Sequence, residues 1–147
     1  MLIRPARPDD VDAIVRAYDW LFAPPGSVPL RWDPAHAGER LRGMIESADT
    51  DVLVADDDGA IAGICTIYDD IDSVRFGRRA WVEDLAVDPA QRSRGIGKAL
   101  MDAAKDWARE HGASHLELDS AEPRVDAHRF YEREGAAYRS ISFGWEL

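Results

Sequence analysis

The sequence is short of cysteine, of positive charge and of long apolar runs. Its one cysteine, Cys65, excludes an internal disulfide and any zinc site built on cysteine pairs. No metal is expected, and a chain so poor in thiols is expected in a reducing cytoplasm. Nowhere do apolar residues run to the roughly 18 that a membrane span needs. The opening Met1-Leu2-Ile3-Arg4-Pro5 lacks the apolar core of a signal peptide, so neither a membrane nor export is expected. Lysine and arginine number 18 against 28 aspartates and glutamates, a formal charge of −10. That deficit argues against nucleic acid as a partner, because phosphate backbones need a basic footprint. An acidic surface keeps a chain soluble and can attract cationic small molecules. Repeats and low-complexity linkers are also missing. With 147 residues, one domain spanning 1–147 is expected, long enough to bury a real core.

What is present is a mixture of two periodicities. Leu2 to Ala6 reads as a short strand closed by Pro5 and Pro8. Val11, Ile14, Val15, Tyr18, Leu21 and Phe22 recur at spacings of three and four, the mark of one helical face, and Asp9 or Asp10 can cap that helix. Ala23 to Pro29, rich in proline, is a loop. A second helix is expected from Pro34 to Ala48, with Leu41, Met44, Ile45 and Ala48 inward. Strands follow at Asp51–Ala55 and Ala60–Tyr68, joined through Asp58-Gly59, a strong hairpin signal. Asp69 to Asp72 reads as polar loop, and Arg79 to Val87 as a strand that Pro89 ends. A long helix from Gly95 to His111 buries Ile96, Leu100, Ala103, Ala104 and Trp107, and Gly112 stops it. His115–Asp119 reads as a strand and Ala127–Glu134 as a helix closed by Gly135. In the last segment Ile141, Phe143, Trp145 and Leu147 alternate with polar or small residues, which predicts a strand with one buried face. The class is α/β with a mixed sheet.

The chemistry gathers where a strand gives way to the long helix, at Arg92-Ser93-Arg94-Gly95-Ile96-Gly97-Lys98. The first turn of a helix has amide groups without intrahelical partners, and with the helix dipole they favour an anion. Gly95 and Gly97 remove Cβ atoms that would hold a phosphate away, and Arg92, Arg94 and Lys98 add positive charge. The plainer reading is a glycine-relaxed helix start with solvated basic residues; the strand-loop-helix context favours a phosphate or diphosphate. A nucleotide P-loop needs a glycine where Arg92 stands and a hydroxyl where Ala99 stands. A dinucleotide fold needs a third glycine where Leu100 stands. Asp119 mimics its ribose-binding acid, but such a domain normally opens with this unit and here several strands precede it.

Arg92-x-x-Gly95-x-Gly97, following Trp81-Val82-Glu83-Asp84-Leu85-Ala86-Val87, resembles the acetyl-CoA motif of the GNAT superfamily of N-acetyltransferases. Ala127-His128-Arg129-Phe130-Tyr131-Glu132-Arg133-Glu134-Gly135 resembles that family's second motif, and Ile3-Arg4-Pro5-Ala6 with Asp9-Asp10-Val11 resembles its first strand and helix. The resemblance covers most of the chain, in the family's order. It implies a mixed, mostly antiparallel sheet with a splayed central strand pair flanked by helices. It implies acetyl-CoA as co-substrate, held along its arm by the backbone of Leu85, Ala86 and Val87. Its pyrophosphate would lie on the amides of Arg92, Ser93, Arg94, Gly95, Ile96, Gly97 and Lys98. A family asparagine is replaced by Arg124, which is long enough to reach phosphate or substrate instead; the aromatic residue usual after the motif glycine is here Ala136. Ser120 can offer the arm a hydrogen bond. A homodimer through the last strands is a family expectation.

The reaction so implied is attack of a neutral amine on a thioester, which needs a base, an oxyanion donor and an acid for the thiolate. The resemblance places Tyr131 near the sulfur as the acid. Simple alternation puts Glu83 on one face with Trp81, Leu85 and Val87, where an apolar setting raises a carboxylate's pKa toward that of a useful base. A bulge would flip the parity and make Asp84 the candidate; His128 is a third. The acceptor, a small-molecule or peptide amine, is expected among Tyr18, Trp20, Phe22, Trp32 and Trp145, with Asp19 and Asp33 suiting a cation. Non-catalytic acyl-CoA binding and dinucleotide binding are the competing functions.

Overall fold

Both periodicities settle onto one five-stranded sheet in the computed structural model, which describes residues 1–147. Along the chain run β1 (Leu2–Pro5), α1 (Val11–Phe22), α2 (Pro34–Glu46), β2 (Thr50–Asp57), β3 (Ala60–Ser73), β4 (Gly77–Val87), α3 (Ile96–Glu110), β5 (His115–Leu118) and α4 (Val125–Arg133). The spatial order is β1-β2-β3-β4-β5. Neighbours are antiparallel except β4 and β5, which are parallel. A parallel pair needs a crossover, and α3 supplies it. The expected fold class, mixed and mostly antiparallel with flanking helices, is the one found.

Each sheet face buries its own core. On one side Cys65, Ile67, Ala80 and Val82 meet Ile96, Leu100, Ala104 and Trp107 of α3. On the other, Val52, Val54, Ile64 and Ala86 meet Ile14, Ala17 and Leu41 from α1 and α2. Close approach of α3 requires a residue without a side chain beneath it. A Cβ at Gly63 of β3 would lie 2.9 Å from both Ile96 and Leu100. Stripes at spacings of three and four on α1 and α3 thus select the faces that dock on the sheet.

Two segments depart from the expectation drawn from sequence. Asp69 to Asp72 is not loop: β3 continues through Ser73 and pairs with the start of β4. Cross-strand charge explains this, since Arg78 pairs with Asp69, and Arg79 lies 2.6 Å from Asp70. The last segment, by contrast, forms no strand. No backbone hydrogen bond reaches residues 137–147, and Phe143 and Trp145 are 78% and 81% exposed. Alternation yields a strand only where a ladder partner and an apolar surface meet it. Here only side chains tether the segment, through Tyr138 to Glu117 and Ser142 to Asp119.

Candidate active site

β4 is irregular where its charges lie. Thr66 of β3 pairs with Asp84, but the next residue, Ile67, pairs with Val82, so Glu83 is left without a partner. This is a β-bulge, and it changes which way the side chains point. Ala80 and Val82 before it face α3, as do Leu85 and Val87 after it. Glu83 and Asp84, adjacent in sequence, both turn toward the α1–α2 side, where they line one cavity. The simple alternation that grouped Glu83 with Leu85 and Val87 is therefore overturned. The flip adds Asp84 to the face rather than substituting it for Glu83. Thr66 secures the bulge: its hydroxyl accepts from the Asp84 amide at 3.0 Å and donates to the Asp84 carboxylate at 3.2 Å.

The bulge also ends the pairing with β5, whose last partners are Val82 and Leu118. Beyond them the strands splay, and a cavity of about 220 Å³ opens between Val82–Leu85 and Leu118–Ala121, closed by Leu21, Arg124, Ala127 and Tyr131. Ser120 and Tyr131 both line it. The Ser120 hydroxyl is buried and has no hydrogen-bond partner. Burial, and then the nearby Cys65 thiol, push the Tyr131 hydroxyl up to about 12, against a weaker downward pull from Arg124. Arg124 donates to the Leu21 carbonyl at 2.7 Å, so it ties the end of α1 to the start of α4 across the slot. Ala86 is buried under α1 and α2, while Leu85 and Val87 pack toward α3. Their side chains are thus fixed, and the β5-facing edge of the strand is left without a neighbour.

Beyond the end of β4 at Val87, α3 begins. The amides of Arg92, Ser93, Arg94, Gly95, Ile96, Gly97 and Lys98 donate to no backbone carbonyl, and Gly95, at the helix start, has no side chain to cap them. Gly95 and Ser93 are left-handed, with φ of 78° and 65°. Those turns bring consecutive amides to one side, the geometry of an anion nest. The two glycines do different work. A Cβ at Gly95 meets nothing, whereas one at Gly97 would lie 3.4 Å from the Phe130 ring. At Gly97 the helix start thus lies in van der Waals reach of α4, while the Gly97 amide itself stays unpaired. Side-chain charge is also more committed than the sequence suggested. Arg94 lies 2.8 Å from Asp57, and Lys98 2.7 Å from Asp102. Arg92 has no carboxylate partner within salt-bridge distance.

A second cavity, of about 350 Å³, lies on the α1–α2 side and shares Glu83 and Asp84 with the first. Its walls are Tyr18 and Trp32; Ala37, Arg40, Leu41 and Met44 of α2; and Thr50, Thr66 and Tyr68 of the sheet. Tyr18 and Trp32 stack at 5.2 Å, with Phe22 edge-on to Trp32 at 4.7 Å. The Tyr18 hydroxyl donates to Asp84 at 2.7 Å. Glu83 keeps contact with solvent, but loss of hydration, followed by the charge of Asp84, raises its pKa; the Tyr68 hydroxyl opposes this. Of the aromatic residues expected here, Trp20 instead packs into the core beneath α1, and Trp145 is exposed. Asp33 caps α2 by accepting from the Ala35 amide at 2.9 Å, and Asp19 is exposed. His128 lies 3.3 Å from the Arg139 guanidinium and 3.0 Å from the Ala121 carbonyl, and it lines neither cavity. Thr66, Tyr68 and Arg40 belong to this site although no local pattern marked them; they enter only through strand pairing and helix docking.

Comparison with known proteins places these features in a family. The model of the acetyltransferase (GNAT) family matches residues 14–136. An uncharacterized N-acetyltransferase of Bacillus subtilis, YhdJ, is 34% identical over 106 residues, 71% of this chain and 74% of its own. Streptothricin acetyltransferase of Streptomyces lavendulae is 37% identical over 94 residues, 63% of this chain and 48% of its own. Among solved structures, aminoglycoside N-acetyltransferase AAC(6')-Iy in complex with CoA superposes with a TM-score of 0.84 at 16% identity, covering 99% of this chain and 93% of that one.

Proposed function

The chain belongs to the acetyltransferase (GNAT) family, whose members use acetyl-CoA, and on that premise we propose that it acetylates a primary amine by direct attack in a ternary complex. One observation carries the reading. Two cavities adjoin β4 and share Glu83 and Asp84, so a thioester entering one and an amine entering the other meet at the carboxylates. Holding both reactants in line supplies much of the rate.

The free amides of Arg92 to Lys98 suit the pyrophosphate, and the unpaired edge at Leu85 to Val87 suits the amide-bearing arm. Ser120, buried and unsatisfied, gains a partner when the arm enters. Glu83 takes the proton of the attacking amine, directly or through one water; its raised pKa suits that role, while Asp84 is already held by Tyr18 and Thr66. As nitrogen bonds to the acetyl carbon the carbon–sulfur bond breaks. Tyr131, facing the slot with no other partner, gives its proton to the leaving thiolate. The site belongs to a small-molecule or peptide amine in the cytoplasm. Exposed Ile141, Phe143, Trp145 and Leu147 support pairing of two copies through their last segments.

Thiol release from acetyl-CoA against a panel of primary amines tests the reading, with CoA and NAD titrated calorimetrically beside it. Amine-dependent release with CoA binding is expected. CoA binding with no release for any amine would leave an acyl-CoA-binding module, and NAD binding in its place would leave a dinucleotide protein.

A further inference from the structure

The second cavity is electrically two-ended. Its sheet wall carries Glu83 and Asp84, and its α2 wall carries Arg40. The carboxylates are not equivalent. Asp84 accepts from the Tyr18 and Thr66 hydroxyls, which occupy it, whereas Glu83 has only the Tyr68 hydroxyl beside it. Arg40, an exposed residue of α2 that lines the cavity, differs from the paired arginines of the sheet and of the loop before α3. Arg4, Arg78, Arg79 and Arg94 are each held by an aspartate, whereas no carboxylate lies within salt-bridge distance of Arg40. The cavity therefore presents one uncommitted acid and one uncommitted guanidinium, with the stacked Tyr18–Trp32 wall beside them. At about 350 Å³ it stands at the small end of ligand sites.

Resting on the acyltransferase reading above, we infer that the acceptor is a small zwitterionic amine: a primary amine carrying an oxyanion, carboxylate or phosphonate, at its far end. The ammonium end meets Glu83 and the aromatic faces, and the oxyanion meets the planar fork of Arg40. A diamine would set its second charge against Arg40, and a neutral tail would leave the guanidinium without a partner.

Calorimetric titration of the CoA-saturated protein with three amines of equal length separates these guests: a diamine, an amino alcohol, and an amino acid with terminal amine and carboxylate, with the phosphonate analogue of the last as a fourth arm. The oxyanion-bearing amines are expected to bind at least about tenfold more tightly than the other two, the scale of a charge-assisted hydrogen bond. Arg40→Glu should invert that order and Arg40→Lys should keep most of it. A diamine that binds best to the native protein, an order unmoved by Arg40→Glu, or binding by none of the four overturns the inference. Thiol release, measured separately, isolates the underlying reading. Arg40-dependent binding without acetyl transfer sinks the transferase and keeps the pocket, whereas transfer to diamines regardless of Arg40 does the reverse.

Discussion

The two cavities that meet at Glu83 and Asp84 are built from different materials. The slot between β4 and β5 and the start of α3 offer main-chain groups, free amides from Arg92 to Lys98 and a strand edge without a neighbour, beside the side chains of Ser120, Arg124 and Tyr131. The cavity under α1 and α2 is side chain: Tyr18, Trp32, Arg40, Tyr68 and two carboxylates from four separate stretches of sequence. A site made of backbone is set by where a helix begins and where a ladder breaks. It tolerates side-chain change and resists change of backbone conformation. A site made of side chains behaves in the opposite way, and it is the part that can diverge to new substrates on a constant frame.

Sharpest is the contrast at the shared carboxylate. Glu83→Gln removes the proposed base and leaves the main-chain groups before α3 untouched. Its kcat/KM is expected to fall by about 10²- to 10⁴-fold, the usual worth of a positioned base, with CoA affinity unchanged in a calorimetric titration. A loss below about tenfold would hand the proton to another group. Tyr131→Phe comes next. Where chemistry limits turnover, losing the donor should lower kcat by about tenfold or more while the CoA dissociation constant stays the same. Full turnover with a rate-limiting chemical step would show that Tyr131 is not the acid.

A smaller effect compares backbone with side chain inside the cradle. Gly95 holds φ at 78° with open space around it, so Gly95→Ala meets a conformational penalty and no clash. A left-handed residue with a Cβ costs about 1–2 kcal/mol. An exposed loop escapes that cost by relaxing, and CoA must then restore the geometry. The expected loss of CoA affinity is about 5- to 30-fold. Arg94→Ala should cost about twofold or less, because Asp57 already holds that charge. Equal losses for the two variants would mean that the cradle works through side chains after all.

The same division explains what could be read from the sequence. The helices, the sheet and the nest before α3 follow from local periodicity, because the groups concerned are neighbours in the chain. The bulge at Glu83 leaves no local mark. It arises from pairing with β3, through Thr66 seventeen residues before it. Without it, alternation assigns Glu83 to the wrong neighbours. Arg40, Tyr68 and Thr66 reach the second cavity only after α2 docks and β3 pairs. Gly97 also lies against the Phe130 ring of α4, a contact between two motifs that each looked complete alone. The last segment erred in the other direction: its alternation is real, but nothing within this chain completes a strand with it.

The smallest expected effect asks whether the acceptor side carries a cost to folding that the main-chain cradle does not. In the fold, lost hydration and then the charge of Asp84 raise the Glu83 pKa. A carboxyl whose pKa is raised on folding binds its proton more tightly in the native state. Its favourable contribution is fully present below the ordinary carboxylate range and is lost as pH rises through the folded value. At neutral pH the ionised group opposes folding. Glu83→Gln should therefore raise Tm at pH 7, on the order of 1 °C given the solvent still reaching the group. That gain should shrink as pH falls below about 4, where the native carboxyl is protonated in both states. Arg94→Ala supplies the control of opposite sign. Asp57, held below the usual carboxylate range by that arginine, loses its partner, so Tm should fall slightly at pH 7 and the deficit should close in acid. Melting curves of both variants from about pH 2 to pH 8 distinguish the two. If Glu83→Gln gains nothing at neutral pH, the bulged carboxylate is as well solvated as a surface one, and its suitability as a base would have to come from position alone.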